Sequence, residues 1–323
     1  MRILTFNSHQ SYLHLLAGAL PWTFGIVTPR YASGSARKWD PQIRPLPERA
    51  RLYASVQEAV RADSWDWILT HNAHDLIDTR EISLPKVFLV HGTLSGRILQ
   101  DQSSIDRALY LKNLQVLLAA NGTRVVYVSE LKRHDWGIPG EVIRSTVNTG
   151  LYGGYRGEVR GVLQVCNHLK ERGLMMGWNT YQSVCRDLPN LVLGDNGNLP
   201  SSRKANDWNE LKEQLRSYRV YLYTPVYPYE DGYNLGLLEA MATGMPVATL
   251  THPTSPIRDG SEGVVADNEA ELRDRVVQLL DNPKEAVRMG KNAKLRVEEL
   301  FPLSEFRDAW QSFAGELLRR AKN

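Results

Sequence analysis

The sequence predicts an α/β protein made of two doubly wound domains, each with a parallel β-sheet between layers of helices. In both halves of the chain, short apolar runs alternate with segments of helical spacing, and this alternation is typical of parallel sheets. The 323 residues are enough for about two domains. A cluster of glycines at Gly150, Gly153, Gly154 and Gly157 predicts a boundary. We therefore expect one domain over residues 1–149 and the other over residues 150–303.

The first half of the chain predicts six strands, over residues 2–6, 22–28, 65–69, 86–91, 125–129 and 142–147. Helices are expected over residues 11–20, 55–62 and 104–120, with a short one between the third and fourth strands. Residues 29–50 contain four prolines and scattered charge, and so predict a loop.

Polar side chains follow three of these strands where the strands end. They occur in residues 7–9, 70–72 and 91–93, and each group contains a histidine. Ligands of parallel sheets bind beyond the carboxyl ends of the strands. A single histidine is more often a surface or core residue, but three polar strand ends on one edge favour a binding site.

The second half repeats the alternation. Strands are predicted over residues 161–165, 191–193, 219–223, 245–250 and 262–267. Helices are predicted over residues 208–215, 268–280, 284–300 and 304–321, and a further one begins near residue 234.

The most informative stretch is residues 229–247. Asn234 is a suitable helix N-cap, and Gly244 ends the helix that follows. A helix N-terminus attracts phosphate or sugar oxygens. Asp231 precedes the helix and Glu239 lies within it, and carboxylates accept hydrogen bonds from sugar hydroxyls. The alternative is that Asp231 belongs to a turn and Glu239 to a helix ion pair.

At these residues the sequence resembles the retaining glycosyltransferases of family 4, which have the GT-B fold. The similarity consists of Asp231, seven further residues, Glu239, and then Ala-Met-Ala-Thr-Gly-Met-Pro-Val over residues 240–247. The chain differs from the family at Asp231, where Glu is usual, and at Asn234, where Gly is usual. The resemblance implies that two Rossmann-like domains face each other across a cleft. It also implies that the final helix, residues 304–321, packs back on the first domain.

The resemblance also implies roles for the residues of the motif. Glu239 would accept hydrogen bonds from the nucleotide ribose, and Asp231 would hold the donor sugar. The donor would also contact the start of the helix, at Gly232, Tyr233, Asn234 and Leu235.

The leaving diphosphate would be held after the first strand of the second half. There Arg172 and Gly173 match a Lys-Gly pair of the family, whereas Asn167 stands where the family has an Arg. The charge missing at Asn167 could come from His168, Lys170 or Arg97. Without the resemblance, the charges of residues 170–172 would indicate a solvated helix start.

Residues from both halves of the chain complete the implied site. Gly194 resembles the first glycine of the family's Gly-x-Gly turn, although an ordinary turn explains it equally well. His91 matches a histidine near the reacting sugar. On the acceptor side we expect Asn7, His9 and Arg97, in a domain whose first loop lacks the usual glycines.

The resulting hypothesis is transfer of a sugar, with retained anomeric configuration, from a UDP- or GDP-sugar to an acceptor sugar, lipid or small molecule. No metal or cofactor is needed, since a cation and a helix N-terminus can stabilise the leaving group. Two alternatives stay open: another enzyme of the same fold, such as an epimerase or a phosphorylase, and a degenerate protein that binds a nucleotide or sugar without transfer.

Charge, motif content and cysteine count argue against nucleic-acid-binding, membrane-spanning and secreted proteins. Residues 1–150 carry 17 Lys and Arg against 13 Asp and Glu, a net charge of +4, and the remainder has 22 against 23, or −1. This mild asymmetry allows at most weak peripheral membrane contact. The sequence has no basic block or zinc-finger spacing, which argues against nucleic-acid binding. With two cysteines, no signal peptide pattern and no long apolar run, we expect a cytoplasmic protein.

Overall fold

The computed structural model describes residues 1–28, 38–100, 105–197 and 199–321. These residues form two compact units. The first contains residues 1–28, 38–94, 105–144 and 303–321, and the second contains residues 95–100, 145–197 and 199–302. Residues 29–37 of the loop predicted over residues 29–50 lie outside the described residues, as does Ser104 of a predicted helix.

The elements have the following bounds. The strands are β1 (Arg2–Phe6), β2 (Thr23–Val27), β3 (Ala50–Tyr53), β4 (Trp67–Thr70), β5 (Lys86–Val90), β6 (Arg124–Tyr127), β7 (Glu141–Val142), β8 (Val159–Val165), β9 (Asn190–Leu193), β10 (Ser202–Arg203), β11 (Tyr218–Tyr223), β12 (Val247–Leu250) and β13 (Gly263–Ala266). The helices are α1 (Gln10–Ala19), α2 (Val56–Ala62), α3 (Ala73–Asp78), α4 (Leu94–Gln100), α5 (Arg107–Ala120), α6 (Glu130–Trp136), α7 (Gly173–Met176), α8 (Trp178–Cys185), α9 (Trp208–Ser217), α10 (Leu235–Thr243), α11 (Glu269–Asp281), α12 (Pro283–Leu300) and α13 (Leu303–Arg320).

The first unit is built on a seven-stranded parallel sheet in the order β3-β2-β1-β4-β5-β6-β7. Its central strands are largely apolar, as is typical of a parallel sheet between helices, and every residue of β4 and β5 is buried. Strands β1, β4 and β5 are neighbours, with Leu69 opposite Thr5 and Thr70 opposite Phe88. Their carboxyl ends therefore lie side by side.

Helix α13 belongs to this first unit although it is the last element of the chain. The Trp310 ring stacks on the Trp67 ring with centroids 6.3 Å apart, and Phe306 meets Tyr12 edge-on at 6.2 Å. The Arg307 guanidinium donates a hydrogen bond to the Ala19 carbonyl oxygen. The apolar stripe of α13 is thus buried against residues from the beginning of the chain.

The second unit is built on a six-stranded parallel sheet in the order β10-β9-β8-β11-β12-β13. Helix α10 is buried from Leu237 to Thr243. Gly290 of α12 is packed against the end of α10 so closely that a Cβ atom there would collide with the Gly244 carbonyl oxygen. The helix that carries the most informative motif is therefore an internal element of its unit.

Two sequence predictions about strands are wrong. The strand expected over residues 142–147 is reduced to the two residues of β7, because the chain leaves the first unit after Arg144. Val147 is already buried in a core cluster of the second unit. Strand β3 falls at the end of the predicted loop, since its two central residues, Arg51 and Leu52, are exposed and give no apolar run.

Helices α4, α6 and α8 were also absent from the prediction. Each is at most eight residues long, which is too short for a clear apolar period. The described part of the chain has no helix of the length and apolar character that crossing a bilayer requires.

Candidate functional site

The polar groups of the second unit gather at the carboxyl edge of its sheet, around the start of α10. A Cβ atom on Gly236 would lie 3.0 Å from the Tyr221 hydroxyl and 3.7 Å from Val165 Cβ. The first turn of α10 therefore rests on the ends of β8 and β11. Asn234 Oδ1 accepts a hydrogen bond from the Leu237 N–H at 3.0 Å, which confirms the predicted N-cap. The other amides of the first turn have no acceptor within the helix.

Both carboxylates of the motif are buried at this edge. The Asp231 residue is 1% exposed and Glu239 is 6% exposed. The Asp231 carbonyl oxygen accepts a hydrogen bond from the Tyr223 hydroxyl at 3.0 Å, and the Asp231 N–H donates to the Glu230 carboxylate at 2.9 Å. Glu239 therefore lies on an inner side of α10 and not on a solvated face.

Gly232 and Tyr233 shape the loop before α10. The Gly232 N–H donates to Thr254 Oγ1 at 2.7 Å, and a Cβ on Gly232 would lie 2.7 Å from His252 Nδ1. The close approach that this glycine permits is thus to the loop after β12. The Tyr233 ring lies 4.9 Å from the Phe301 ring, between centroids. These contacts fix the loop from both sides.

The loops after β8 and β9 are tied together by side-chain and backbone hydrogen bonds. Asn167 Oδ1 accepts from the Asp195 N–H at 2.8 Å, and the His168 N–H donates to the Asp195 carbonyl oxygen at 2.7 Å. Gly194 has a φ of +149°, and a Cβ atom there would collide with the Cys166 carbonyl oxygen. Asn167 therefore has a structural role that sequence reasoning did not predict, and Gly194 permits a close approach of the two loops.

Arg172 lies at the end of the loop after β8, where it precedes α7. Its Nε is buried and has no hydrogen-bond partner, and no carboxylate of the described residues forms an ion pair with it. Burial raises the pKa of the neighbouring Cys166 thiol to about 11, although the Arg172 charge opposes this rise. The negative charge of Glu230, from the loop before α10, raises the same pKa further. Arg172 is thus a cation near the start of α10 that can receive an anion.

The first unit has a separate cluster of three histidines at the carboxyl edge of its sheet. His71 Nδ1 lies 3.0 Å from His91 Nε2, and the His9 and His91 rings are 3.8 Å apart between centroids. Tyr12 meets the His91 ring edge-on at 4.8 Å. The structure therefore brings together the three polar strand ends that the sequence placed on one edge. The sequence did not predict that Tyr12 would contact this cluster.

Burial favours the neutral form of two of these three histidines, His71 and His91. It lowers the pKa of His71 and of His91 well below the ordinary value, and the charge on His9 lowers both further. Asp75 accepts a hydrogen bond from the His71 N–H at 2.8 Å. Burial nevertheless raises the pKa of the Asp75 carboxyl to about 7. At this edge, burial thus favours the neutral imidazoles of His71 and His91.

The remaining details concern Asn7, His9, His168 and Arg97. Asn7 is buried, and its Nδ2 donates to the Lys38 carbonyl oxygen at 3.0 Å, while His9 is exposed. His168 is exposed and has a φ of +53°. Arg97 was expected with the first domain, but residues 95–100 group with the second unit, where Leu99 packs on an apolar core.

Comparisons with known proteins add two findings. The family described as glycosyl transferases group 1 matches residues 202–296, which include the loop before α10, α10 itself and β12. No curated protein matches the chain in sequence.

Solved structures resemble the whole chain. HepE from Anabaena, with UDP and glucose, has a TM-score of 0.70 at 12% identity over 98% of this chain and 100% of HepE. Sucrose-phosphate synthase from Thermosynechococcus elongatus has a TM-score of 0.67 at 13% identity over 99% of this chain and 100% of the synthase. A glycosyltransferase from Rickettsia africae gives 0.63 at 12% identity, covering 98% of each chain. The predicted fold is confirmed: two parallel α/β sheets that match the GT-B glycosyltransferases.

Proposed function

We propose that the chain is a glycosyltransferase that moves a sugar from a nucleotide-sugar donor to an acceptor hydroxyl. The observation that carries this proposal is the carboxyl edge of the second unit's sheet. There, the loop after β8 carries a cation with no carboxylate partner among the described residues, and the loop after the neighbouring strand β11 leads to a capped helix N-terminus and two buried carboxylates. The family match over residues 202–296 includes the helix, and the fold supports the same class.

Arg172 is the group we assign to the leaving diphosphate. A guanidinium donates several N–H bonds in a planar fork that fits phosphate oxygens, and the buried Nε of Arg172 has no such bond within the described chain. The diphosphate gains negative charge as the bond to the sugar breaks. A fixed cation therefore stabilises the transition state more than the bound donor.

Glu239 and Asp231 are the groups we assign to hydroxyls of the donor. A carboxylate only accepts hydrogen bonds, so it suits the paired hydroxyls of ribose or of a sugar. HepE was solved with UDP, with UDP-glucose, and with UDP and glucose. UDP-sugars are accordingly the first donors to test, and GDP-sugars the second.

The finer features of the proposal are retention of the anomeric configuration and independence of metal ions. Both follow from the resemblance to family 4, and the second has a physical basis in the cation and the helix N-terminus. The acceptor is a sugar, a lipid or a small molecule, reached with at most weak membrane contact, and the activity belongs in the cytoplasm.

Donor binding is tested by thermal unfolding of the full chain with UDP-, GDP-, ADP- and dTDP-sugars, because a ligand that binds only the folded state raises its stability. We expect one UDP- or GDP-sugar to raise Tm. Glu239→Gln should then weaken donor binding by about tenfold or more, since a charged hydrogen bond contributes about 1.5–3 kcal/mol. Glu171→Gln, an exposed carboxylate of the loop after β8, is the matched control and should bind normally. Equal Kd values for wild type and Glu239→Gln would remove Glu239 from the site.

Transfer is tested by NMR of the anomeric proton, with the bound donor and candidate acceptors, before and after a chelator. We expect a glycoside with the donor's configuration, in equal amounts with and without the chelator. An inverted product would refute retention. An epimerised donor, or a sugar phosphate formed only with added phosphate, would identify one of the other enzyme classes. Donor binding with neither hydrolysis nor transfer would identify a binding protein.

A further inference from the structure

Three side chains of the first unit, of which Thr5 and His71 are buried, are joined in a line across adjacent strands. Thr5 Oγ1 of β1 lies 3.0 Å from His71 Nε2, beyond β4. The other nitrogen of that ring, His71 Nδ1, lies 3.0 Å from His91 Nε2, beyond β5. Both imidazole nitrogens of His71 are therefore used, and the state of each ring depends on its neighbour.

The direction of these hydrogen bonds follows from the burial of Thr5. The Thr5 side chain is fully buried, and within the described residues its hydroxyl has only His71 Nε2 as a partner. If the hydroxyl accepted a bond from His71, its own proton would have no acceptor, and an unsatisfied buried donor is costly. The hydroxyl therefore donates to Nε2. A neutral His71 then carries its proton on Nδ1 and donates to His91 Nε2.

We propose that Thr5 and His71 are positioning residues that hold His91 in the Nδ1–H tautomer, so that His91 offers an N–H donor at the edge of the sheet. Within the described chain, His91 Nδ1 makes no hydrogen bond. The His9 ring lies against the His91 ring at a tilt of 33°, and Tyr12 meets it edge-on, so that these two contacts restrict the plane in which this N–H points.

The consequence for the reaction depends on the proposed function. With its proton on Nδ1 and with Nε2 engaged by His71, His91 can donate a hydrogen bond to a substrate oxygen but has no free lone pair for use as a base. His91 thus acts by orienting and polarising the substrate. The tautomer itself does not depend on whether the chain transfers sugars.

The test is a long-range proton–nitrogen NMR spectrum of the nitrogen-15-labelled full chain at neutral pH. The chain has eight histidines, so the signals of His71 and His91 are assigned from the spectra of His71→Gln and His91→Gln. We expect both rings in the Nδ1–H form, although free neutral imidazoles favour Nε2–H. An Nε2–H form of either ring in the wild type would overturn the proposal.

Variants then test the role of Thr5. Thr5→Val, which keeps the shape but removes the hydroxyl, should convert His71 and His91 to mixed or Nε2–H forms, whereas Thr5→Ser should keep the wild-type spectrum. Thr70→Val is the matched control, because Thr70 is equally buried but donates to the Val87 carbonyl oxygen at 2.9 Å. Unchanged tautomers in Thr5→Val would also overturn the proposal.

Kinetics separate this inference from the proposed function. Once a donor and an acceptor are known, Thr5→Val should lower kcat by about tenfold or more with little change in the donor KM, and Thr5→Ser should recover most of it. Absence of any transfer would refute the proposed function and leave the NMR result intact. Normal kcat in a Thr5→Val variant with altered tautomers would show that the tautomer does not position His91 for catalysis.

Discussion

Arg172 carries a charge that no carboxylate balances within the described part of the chain. Under the proposed function, Arg172→Ala should lower kcat by at least about two orders of magnitude, the scale of losing one preorganised oxyanion donor. Arg172→Lys should recover part of this loss, since it keeps the charge but not the planar fork. Steady-state kinetics with the identified donor measure both effects, and Arg186→Ala, an exposed arginine of the same unit, is the matched control.

The competing assignment gives the diphosphate to another cation. Asn167 supplies no charge, and its Oδ1 is used to hold the Asp195 N–H. Alanine variants of His168, Lys170 and Arg97 decide between the two assignments. A loss below about tenfold at Arg172, together with a large loss at one of the other three, would contradict the role of Arg172.

Asp75 should make the stability of the protein depend on pH. Burial raises its pKa to about 7 in the folded state, above the value of about 3.9 in an unfolded chain. The folded state therefore binds this proton more tightly, and the stability that results is lost as the pH rises from about 4 to about 7. Asp75→Asn should remove this loss. The free energy of unfolding of the variant, relative to that of the wild type, should therefore increase as the pH rises from about 4 to about 7.

Three histidines change the stability in the opposite direction over an overlapping pH range. Burial lowers the pKa values of His71, His91 and His252, so they contribute stability near pH 7 that is lost as the pH falls below about 6.5. Denaturation of Asp75→Asn should therefore show stability that rises with pH up to about 6.5. If the free energies of unfolding of Asp75→Asn and of the wild type differed by the same amount from pH 4 to pH 7, the Asp75 carboxyl would have an ordinary pKa.

At the scale of elements, the contact between α10 and α12 depends on Gly290. A Cβ there would collide with the Gly244 carbonyl oxygen, which belongs to the backbone and cannot rotate away. Gly290→Ala should therefore cost about 1–3 kcal/mol or more in stability, as overpacking does. Gly315→Ala in α13 is the matched control, because a Cβ there meets nothing within 4 Å.

The control substitution should itself stabilise the protein by about 0.5–1 kcal/mol, since alanine is the better helix residue. Urea denaturation of both variants measures the two changes. If Gly290→Ala were as stable as Gly315→Ala, the two helices would have to lie farther apart than the structure places them.

Elements with a strong local signal were predictable from the sequence. The cap at Asn234, the stop at Gly244 and the buried strands each depend on a few consecutive residues. Strand β3 was not predictable, because it is an edge strand held by pairing with β2 while its own central side chains are exposed. The end of β7 was not predictable either, since Ile143 and Val147 look alike in sequence but belong to different units.

The sequence was sufficient to predict which loops carry the candidate residues, but it did not predict the hydrogen bonds that these loops make. The sequence placed His9, His71 and His91 on one edge of a parallel sheet because each lies at the carboxyl end of a predicted strand. Nothing local showed that Thr5 would bond to His71, or that Asn167 would hold the loop after β9. Those contacts join residues far apart in the chain, and they depend on the register of neighbouring strands.

At the scale of the whole molecule, the last helix of the chain, α13, supplies part of the hydrophobic core of the first unit. Trp310 is fully buried and stacks on Trp67, so the core of this unit is incomplete until α13 has been added. Trp310→Ala should cost about 3–5 kcal/mol, the usual cost of deleting a large buried aromatic side chain. Gln311→Ala, the exposed neighbour on the same helix, should have little effect.

Because α13 contributes to the first unit and not to the second, the loss should be confined to one unit. Thermal unfolding followed with and without the nucleotide-sugar distinguishes the unfolding transitions of the two units. Under the proposed function, the ligand binds at the edge of the second unit's sheet and stabilises that unit directly. We expect Trp310→Ala to lower the transition that responds little to the ligand, and to leave the Kd of the donor close to the wild-type value. A donor Kd raised as much by Trp310→Ala as by Glu239→Gln would show that the first unit contributes to donor binding or that the two units do not unfold separately.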